Sequence, residues 1–137
     1  MKRRSRKLLE EILRDRRDEA AAEFAKTSAE AGRARLCFAR ADTELERFSL
    51  ERVRSLRVQG KNSTAGGAWH GLDGVEARLG EGLRERAGSR HEAAGRLRRS
   101  NQRVHDSIKT LARAIALDKA ISRKTEISRP RTHPQSE

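Results

Sequence analysis

The residues able to do chemistry in this chain are few: four histidines, His70, His91, His105 and His133, and a single cysteine, Cys37. A structural or catalytic metal centre gathers three or four such ligands around one ion, at roughly 2 Å each. His91 and His105 fall two heptads apart on one helix, about 21 Å at 1.5 Å per residue, too far to share a metal. His105, Asp106 and Ser107 have the residue types of a hydrolytic triad. Neighbouring positions on a helix point in different directions, so contiguous residues cannot form the relay that such a triad needs. Gly66, Gly67 and Gly71 follow no strand and lack the context of a phosphate-binding loop, and there is neither a P-loop nor a CxxC pair. The histidines read as solvated polar side chains. Cys37, adjacent to the apolar Phe38, reads as a small packed residue rather than a nucleophile. The expectation is a protein with no catalytic residue, no metal ligand and no cofactor, that is, not an enzyme.

Any function must then come from the elements themselves. The 137 residues are 34% hydrophobic, 38% charged and 3% aromatic, with a formal net charge of +12. Ordinary soluble domains are roughly 25% charged. Low hydrophobicity with high charge leans towards disorder, but a disordered chain does not sustain an apolar period, and this one does. Steps of three and four trace Leu13, Arg17, Ala20, Phe24, Thr27, Ala31, Ala34, Phe38, Ala41, Leu45 and Phe48, with only Arg17 charged. That is a 3.5-residue repeat, the signature of a left-handed coiled coil. A second stripe reads Val75, Leu79, Leu83, Ala87, Arg90, Ala94, Leu97, Asn101, Val104, Ile108, Leu111 and Ile115, with a local stutter between Leu79 and Leu83.

Two such runs of nearly equal length, separated by one glycine-rich segment, predict an all-α fold: two long helices in an antiparallel coiled-coil hairpin. The expected organisation is a basic N-terminal extension over 1–4, a first helix over 5–59, a Gly-rich loop over 60–72, a second helix over 73–128 and a disordered tail over 129–137. Gly60 is placed to end the first helix, and Asp73 with Glu76 forms a capping box that opens the second. Folding the arms on a turn near residue 66 pairs positions whose numbers sum to roughly 132, bringing large residues against small ones as knobs-into-holes packing requires. Phe24 would then meet Ile108, Phe38 would meet Ala94, and the polar Asn101 would lie near Ala31 and fix the register. Gly80, Gly82, Gly88 and Gly95 each cost the second helix about 1 kcal/mol relative to alanine, so the half nearer the loop should be the softer one.

There is no apolar run of 18 residues and so no transmembrane span. The opening Met1-Lys-Arg-Arg-Ser-Arg-Lys is basic like a signal peptide, but Glu10, Glu11 and Asp15 fall where its apolar stretch should be, which argues against secretion by that route. A lone cysteine suits a reducing compartment. Arginine-rich composition points to a GC-rich, bacterial source. Arg3, Arg4, Arg6 and Lys7, followed by Arg14 and Arg17, concentrate positive charge at the start, and Arg113, Lys119, Arg123 and Lys124 do so near the end. Arg84, Arg86, Arg90, Arg96, Arg98, Arg99 and Arg103 line the second arm. Such charge is read in three ways: a solvated coiled-coil surface, an electrostatic footprint for nucleic acid, or a face for an acidic protein or membrane. Trp69 either covers Leu72 and Val75 or anchors a partner, since tryptophan is enriched among interface hot spots.

The basic opening through Leu9, the alanine- and charge-rich first arm and the basic stretch from Leu111 to Lys124 together resemble the FliJ/YscO family, small coiled-coil proteins of flagellar and virulence type III secretion systems. The resemblance spans roughly residues 3–125 and is mainly architectural. It implies a cytoplasmic bacterial protein, peripheral at the inner membrane through the export apparatus. The protein would serve as a stalk or coupling component of the export ATPase ring, or as a chaperone escort, with the export gate and secretion chaperones as further partners. The partner-binding residues it implies are Arg3, Arg4, Arg6, Lys7, Arg14, Arg17, Trp69, Arg113, Lys119, Arg123 and Lys124. A basic coiled coil that binds nucleic acid is the alternative.

Overall fold

The computed structural model describes the backbone of residues 2–62 and 69–128, and the side chains of residues 2–58 and 74–124. Two helices make up the described chain: α1, Arg3–Asn62, and α2, Trp69–Ser128. They pack against each other as an all-α hairpin, and no strand occurs among the described residues. The tail 129–137, the centre of the Gly-rich segment and the Trp69 side chain lie outside the described residues.

Both helices are longer than their local signals suggest. α1 begins at Arg3, where the Lys2 carbonyl accepts hydrogen bonds from the backbone N–H groups of Ser5 (3.0 Å) and Arg6 (3.3 Å). It continues past Gly60 to Asn62, and α2 starts at Trp69, ahead of Asp73. Once a helix is nucleated, each further residue adds a backbone hydrogen bond for one pair of fixed dihedrals. A single glycine costs only about 1 kcal/mol against that gain, so neither Gly60 nor Gly71 stops propagation.

The chain divides into two compact units, the first combining Met1–Ala29 with Gln102–Glu137 and the second comprising Glu30–Asn101. Each is a pair of antiparallel helical segments. In the first, Arg17 meets Asp118 across 101 residues of sequence and Thr27 meets Ser107 across 80. The separation falls by about two for every residue gained along α1, as antiparallel pairing demands. In the second, Asp42 meets Arg90 across 48 residues, and Phe48 lies beneath Arg86.

These pairs set a register in which partner numbers sum to roughly 134, a shift of about two residues from the knobs-into-holes estimate. All eleven positions of the expected α1 stripe, Leu13 to Phe48, are buried or half-buried. Beyond Leu83 the α2 seam shares Arg90, Leu97, Val104 and Leu111 with the expected stripe and differs at the positions between them. It runs through Arg86, Arg90, Ala93, Leu97, Ser100, Val104, Ser107, Leu111, Ala114, Asp118 and Ile121, in unbroken steps of three and four. Ala87, Asn101 and Ile108, expected on the stripe, are exposed, with Ile108 at 47%.

The seam is built from small side chains. Leu13, Ala20 and Ala31 are the buried apolar residues and Thr27, Ser100 and Ser107 the buried polar ones, with Ala31 wholly inaccessible. Alanine, serine or threonine recurs every seventh residue at Ala20 and Thr27 on α1 and at Ser107 and Ala114 on α2 within the first unit. At the observed register these fall level with one another, small against small, whereas in the second unit Phe48 lies against Gly82, large against small as expected. Helices separate by 8–10 Å according to the side chains between them, and small side chains permit the closer approaches.

Candidate partner-binding surfaces

The first unit is held by two polar contacts whose strengths differ. The Thr27 hydroxyl lies 3.1 Å from Ser107 Oγ, and the Ser107 hydroxyl donates to the Arg103 carbonyl at 2.8 Å. Thr27 is also 3.1 Å from the Phe24 carbonyl, so its single proton has two acceptors to choose between. Both hydroxyls are buried and both are satisfied, which lets polar residues occupy the seam at little cost. These are the polar core residues that fix the register, in place of Asn101. The Arg17 guanidinium donates to Asp118 at 2.8 Å, with Asp18 at 3.8 Å, the Arg17 side chain being 40% exposed. A pair so accessible to water is worth at most about 1 kcal/mol.

Around this frame the first unit collects ten of the eleven expected partner-binding residues. Arg3, Arg4, Lys7 and Arg14 on α1 and Arg113, Lys119, Arg123 and Lys124 on α2 are exposed, and Arg6 and Arg17 are half-buried. Arg17 serves the hairpin itself, through Asp118. The eleventh, Trp69, opens α2 in the other unit. The first turn of α1 contains no acidic residue. Arg3, Arg4 and Arg6 therefore stand at the positive end of the helix macrodipole, where a cation costs a few tenths of a kcal/mol and a counter-anion would be stabilised. Sequence reasoning missed a shallow groove of about 490 Å³ in this unit, lined by Leu13, Ala20, Ala114 and Leu117 with Arg16, Arg113, Glu19 and Glu23 around them. Leu117 is 51% exposed there, while Leu8 and Ile12 are exposed on α1 of the same unit.

In the second unit, arginine covers the aromatic side chains. Arg86 sits 4.0 Å above the centre of the Phe48 ring and donates to the Gly82 carbonyl at 3.2 Å; Arg90 lies 5.4 Å from the Phe38 ring and 2.7 Å from Asp42. Arg86 and Arg90 are thus engaged with α1, while Arg84, Arg96, Arg98 and Arg99 are exposed. The Arg52 Nε is buried without a hydrogen-bond partner among the described residues.

Cys37 is exposed and so is not the packed residue its neighbour Phe38 suggested. Phe38 takes the seam position, and the helix turns the adjacent side chain about 100° away from it. His91 and His105 are exposed, as solvated residues should be. No group of three or more His, Cys, Asp or Glu side chains that could hold a metal occurs among the described residues. No described helix is long and apolar enough to cross a membrane. What the molecule presents is protein surface: a basic, partly apolar face in the first unit and an arginine-studded helical pair in the second. No protein family, curated protein or solved structure matches this chain.

Proposed function

We propose that the chain is a non-enzymatic coiled-coil component of a bacterial type III secretion export apparatus, acting as a stalk or coupling protein on the export ATPase or as a chaperone escort. The observation that carries this reading is the gathering of both basic ends, Arg3 to Lys7 and Lys119 to Lys124, into one compact antiparallel unit. A coupling protein of this kind works by transmitting contacts. Its chemistry is electrostatic steering onto an acidic face of the ring, and the exposed Leu8, Ile12 and Leu117 supply apolar contact once the face is reached. The cytoplasm, at the inner face of the membrane, is the compartment that goes with it.

The test is direct. Mixed at moderate salt with a hexameric export ATPase, the chain should co-elute with it and change its rate of ATP hydrolysis. Reversing Arg3, Arg4, Arg6 and Lys7 to glutamate should abolish both effects. Failure of the unmodified chain to bind would remove the proposal.

The exposed Arg84, Arg96, Arg98 and Arg99 favour a second reading, a coiled coil that binds nucleic acid. It requires a DNA or RNA affinity whose logarithm falls linearly with the logarithm of salt concentration.

A further inference from the structure

The second unit contains a feature that its own packing does not use. On α1, Gly32, Leu36, Ala39, Thr43, Glu46, Leu50 and Val53 follow one another in steps of four and three, the same period as the seam. Glu46 is the only charged member. This second stripe lies on the side of α1 turned away from α2: Leu36 is 61%, Leu50 57% and Val53 48% exposed. A Cβ placed on Gly32 would meet nothing within 4 Å. A shallow depression of about 370 Å³, lined by Leu36, Ala39, Arg40, Thr43, Glu44 and Arg47, already marks part of this face.

An isolated exposed leucine needs no explanation. A heptad-spaced set on the outer face of a coiled-coil helix does, because that face is ordinarily filled with charge. One flank of the stripe is a column of arginines at every seventh residue, Arg33, Arg40, Arg47 and Arg54, all exposed. The other flank, Arg35, Asp42 and Ser49, adds a further arginine, and its Asp42 is engaged with Arg90 at 2.7 Å; the exposed Glu44 and Glu51 lie on the far side of the arginine column, one position further from the stripe. We propose that this outer face of α1 is a docking site for a third helix, an amphipathic helix of another protein with acidic residues flanking its apolar stripe.

Charge selects that occupant over the alternatives. A second copy laid antiparallel on the stripe would set one arginine column against another, and a parallel copy would set it against Arg35 and an already engaged Asp42; like charges across a helical seam are unfavourable. A lipid surface would be met by only three large apolar side chains and no aromatic one, too few for the buried apolar face of an interfacial helix. An acidic amphipathic helix matches both the 3.5-residue apolar spacing and the basic flank. The inference stands on the second unit and does not depend on the secretion reading.

The probe is a fluorescein-labelled synthetic helix about four heptads long, with leucine at two positions of each heptad and glutamate at the flanking ones. Against the full chain it should bind saturably in the micromolar range at 150 mM salt. The L36A/L50A variant should weaken that binding about tenfold or more, as expected for central apolar contacts. R40E/R47E should weaken it to a similar degree, while L8A/I12A in the first unit leaves it unchanged. All substituted residues are exposed, so the helical circular dichroism and the unfolding midpoint should not move. Four outcomes would overturn the proposal. One is no saturable binding. The second is equal binding of polyglutamate, which would reduce the effect to bare charge. The third is a dimer by light scattering that L36A/L50A converts to monomer, which would give the face to a second copy. The last is binding to anionic vesicles in place of the peptide.

Discussion

The two units use one heptad plan and fill it differently. In the first, Ala20, Thr27, Ser107 and Ala114 bring small side chains to the seam, and a buried hydroxyl pair bridges it. In the second, Phe38 and Phe48 bring large rings to the seam, and Arg86 and Arg90 lie over them. All ten glycines of the chain fall in the second unit and none in the first. The comparison shows two ways to build a core when apolar residues are scarce. One lines the seam with small side chains. The other borrows the aliphatic and planar parts of charged residues to cover a few large rings.

The sharpest way to break this contrast is to measure local stability. Gly80, Gly82, Gly88 and Gly95 lie inside α2 and together cost about 4 kcal/mol relative to alanine. Amide hydrogen exchange should therefore be at least about tenfold faster between residues 80 and 95 than between 104 and 115. Equal protection would mean that the aromatic–arginine contacts fully offset the glycines.

Next in size is the hydroxyl pair. Thr27→Val keeps the volume but removes a donor, and Ser107→Ala removes its acceptor; each should cost about 1 kcal/mol in denaturant unfolding. The double variant should cost less than the sum, because replacing both partners leaves neither unsatisfied. Strict additivity would show that the hydroxyls act only within their own helices.

The smallest effect separates two glycines. A Cβ at Gly88 would meet nothing within 4 Å, and Gly88→Ala should stabilise the chain by about 0.5–1 kcal/mol. At Gly82 the same carbon would come 2.6 Å from Phe48 Cζ, on the ring that Arg86 covers. Gly82→Ala should forfeit that gain, and a stabilisation equal to that of Gly88→Ala would show that the Phe48 ring is not held in place.

How much of this was legible beforehand follows from the same contrast. The α1 stripe could be read because all its members but Arg17 are apolar or small, and every one is at least half-buried. The α2 seam was misread at alternate positions because more apolar residues stand one position off it: Ala87 beside Arg86, Ile108 beside Ser107, Ile115 beside Ala114. Hydrophobic periodicity follows size and apolarity, whereas this seam takes small residues and tolerates a hydroxyl that can bond its own helix, as Ser107 does. Helix ends were read from caps and glycines, which propagation overrode. The basic residues of the candidate surface were plain in the sequence. The groove at Leu13 and Leu117 and the arginine–aromatic contacts were not, because each depends on a cross-helix register that periodicity alone sets only to within a few residues.

The seam of small side chains also has a genetic consequence. At Ala20, Thr27, Ser107 and Ala114 the seam is occupied by alanine, serine or threonine, all buried or half-buried. The codons of these three residues interconvert by single changes at the first base. Drift can therefore exchange them with little change in side-chain volume, while a step to leucine or isoleucine would change it far more. Lineages sharing this fold would keep neither the identity nor the hydrophobicity of these columns. They would keep a seven-residue rhythm of smallness, and a comparison weighted by side-chain volume would find them where one weighted by hydropathy passes over them.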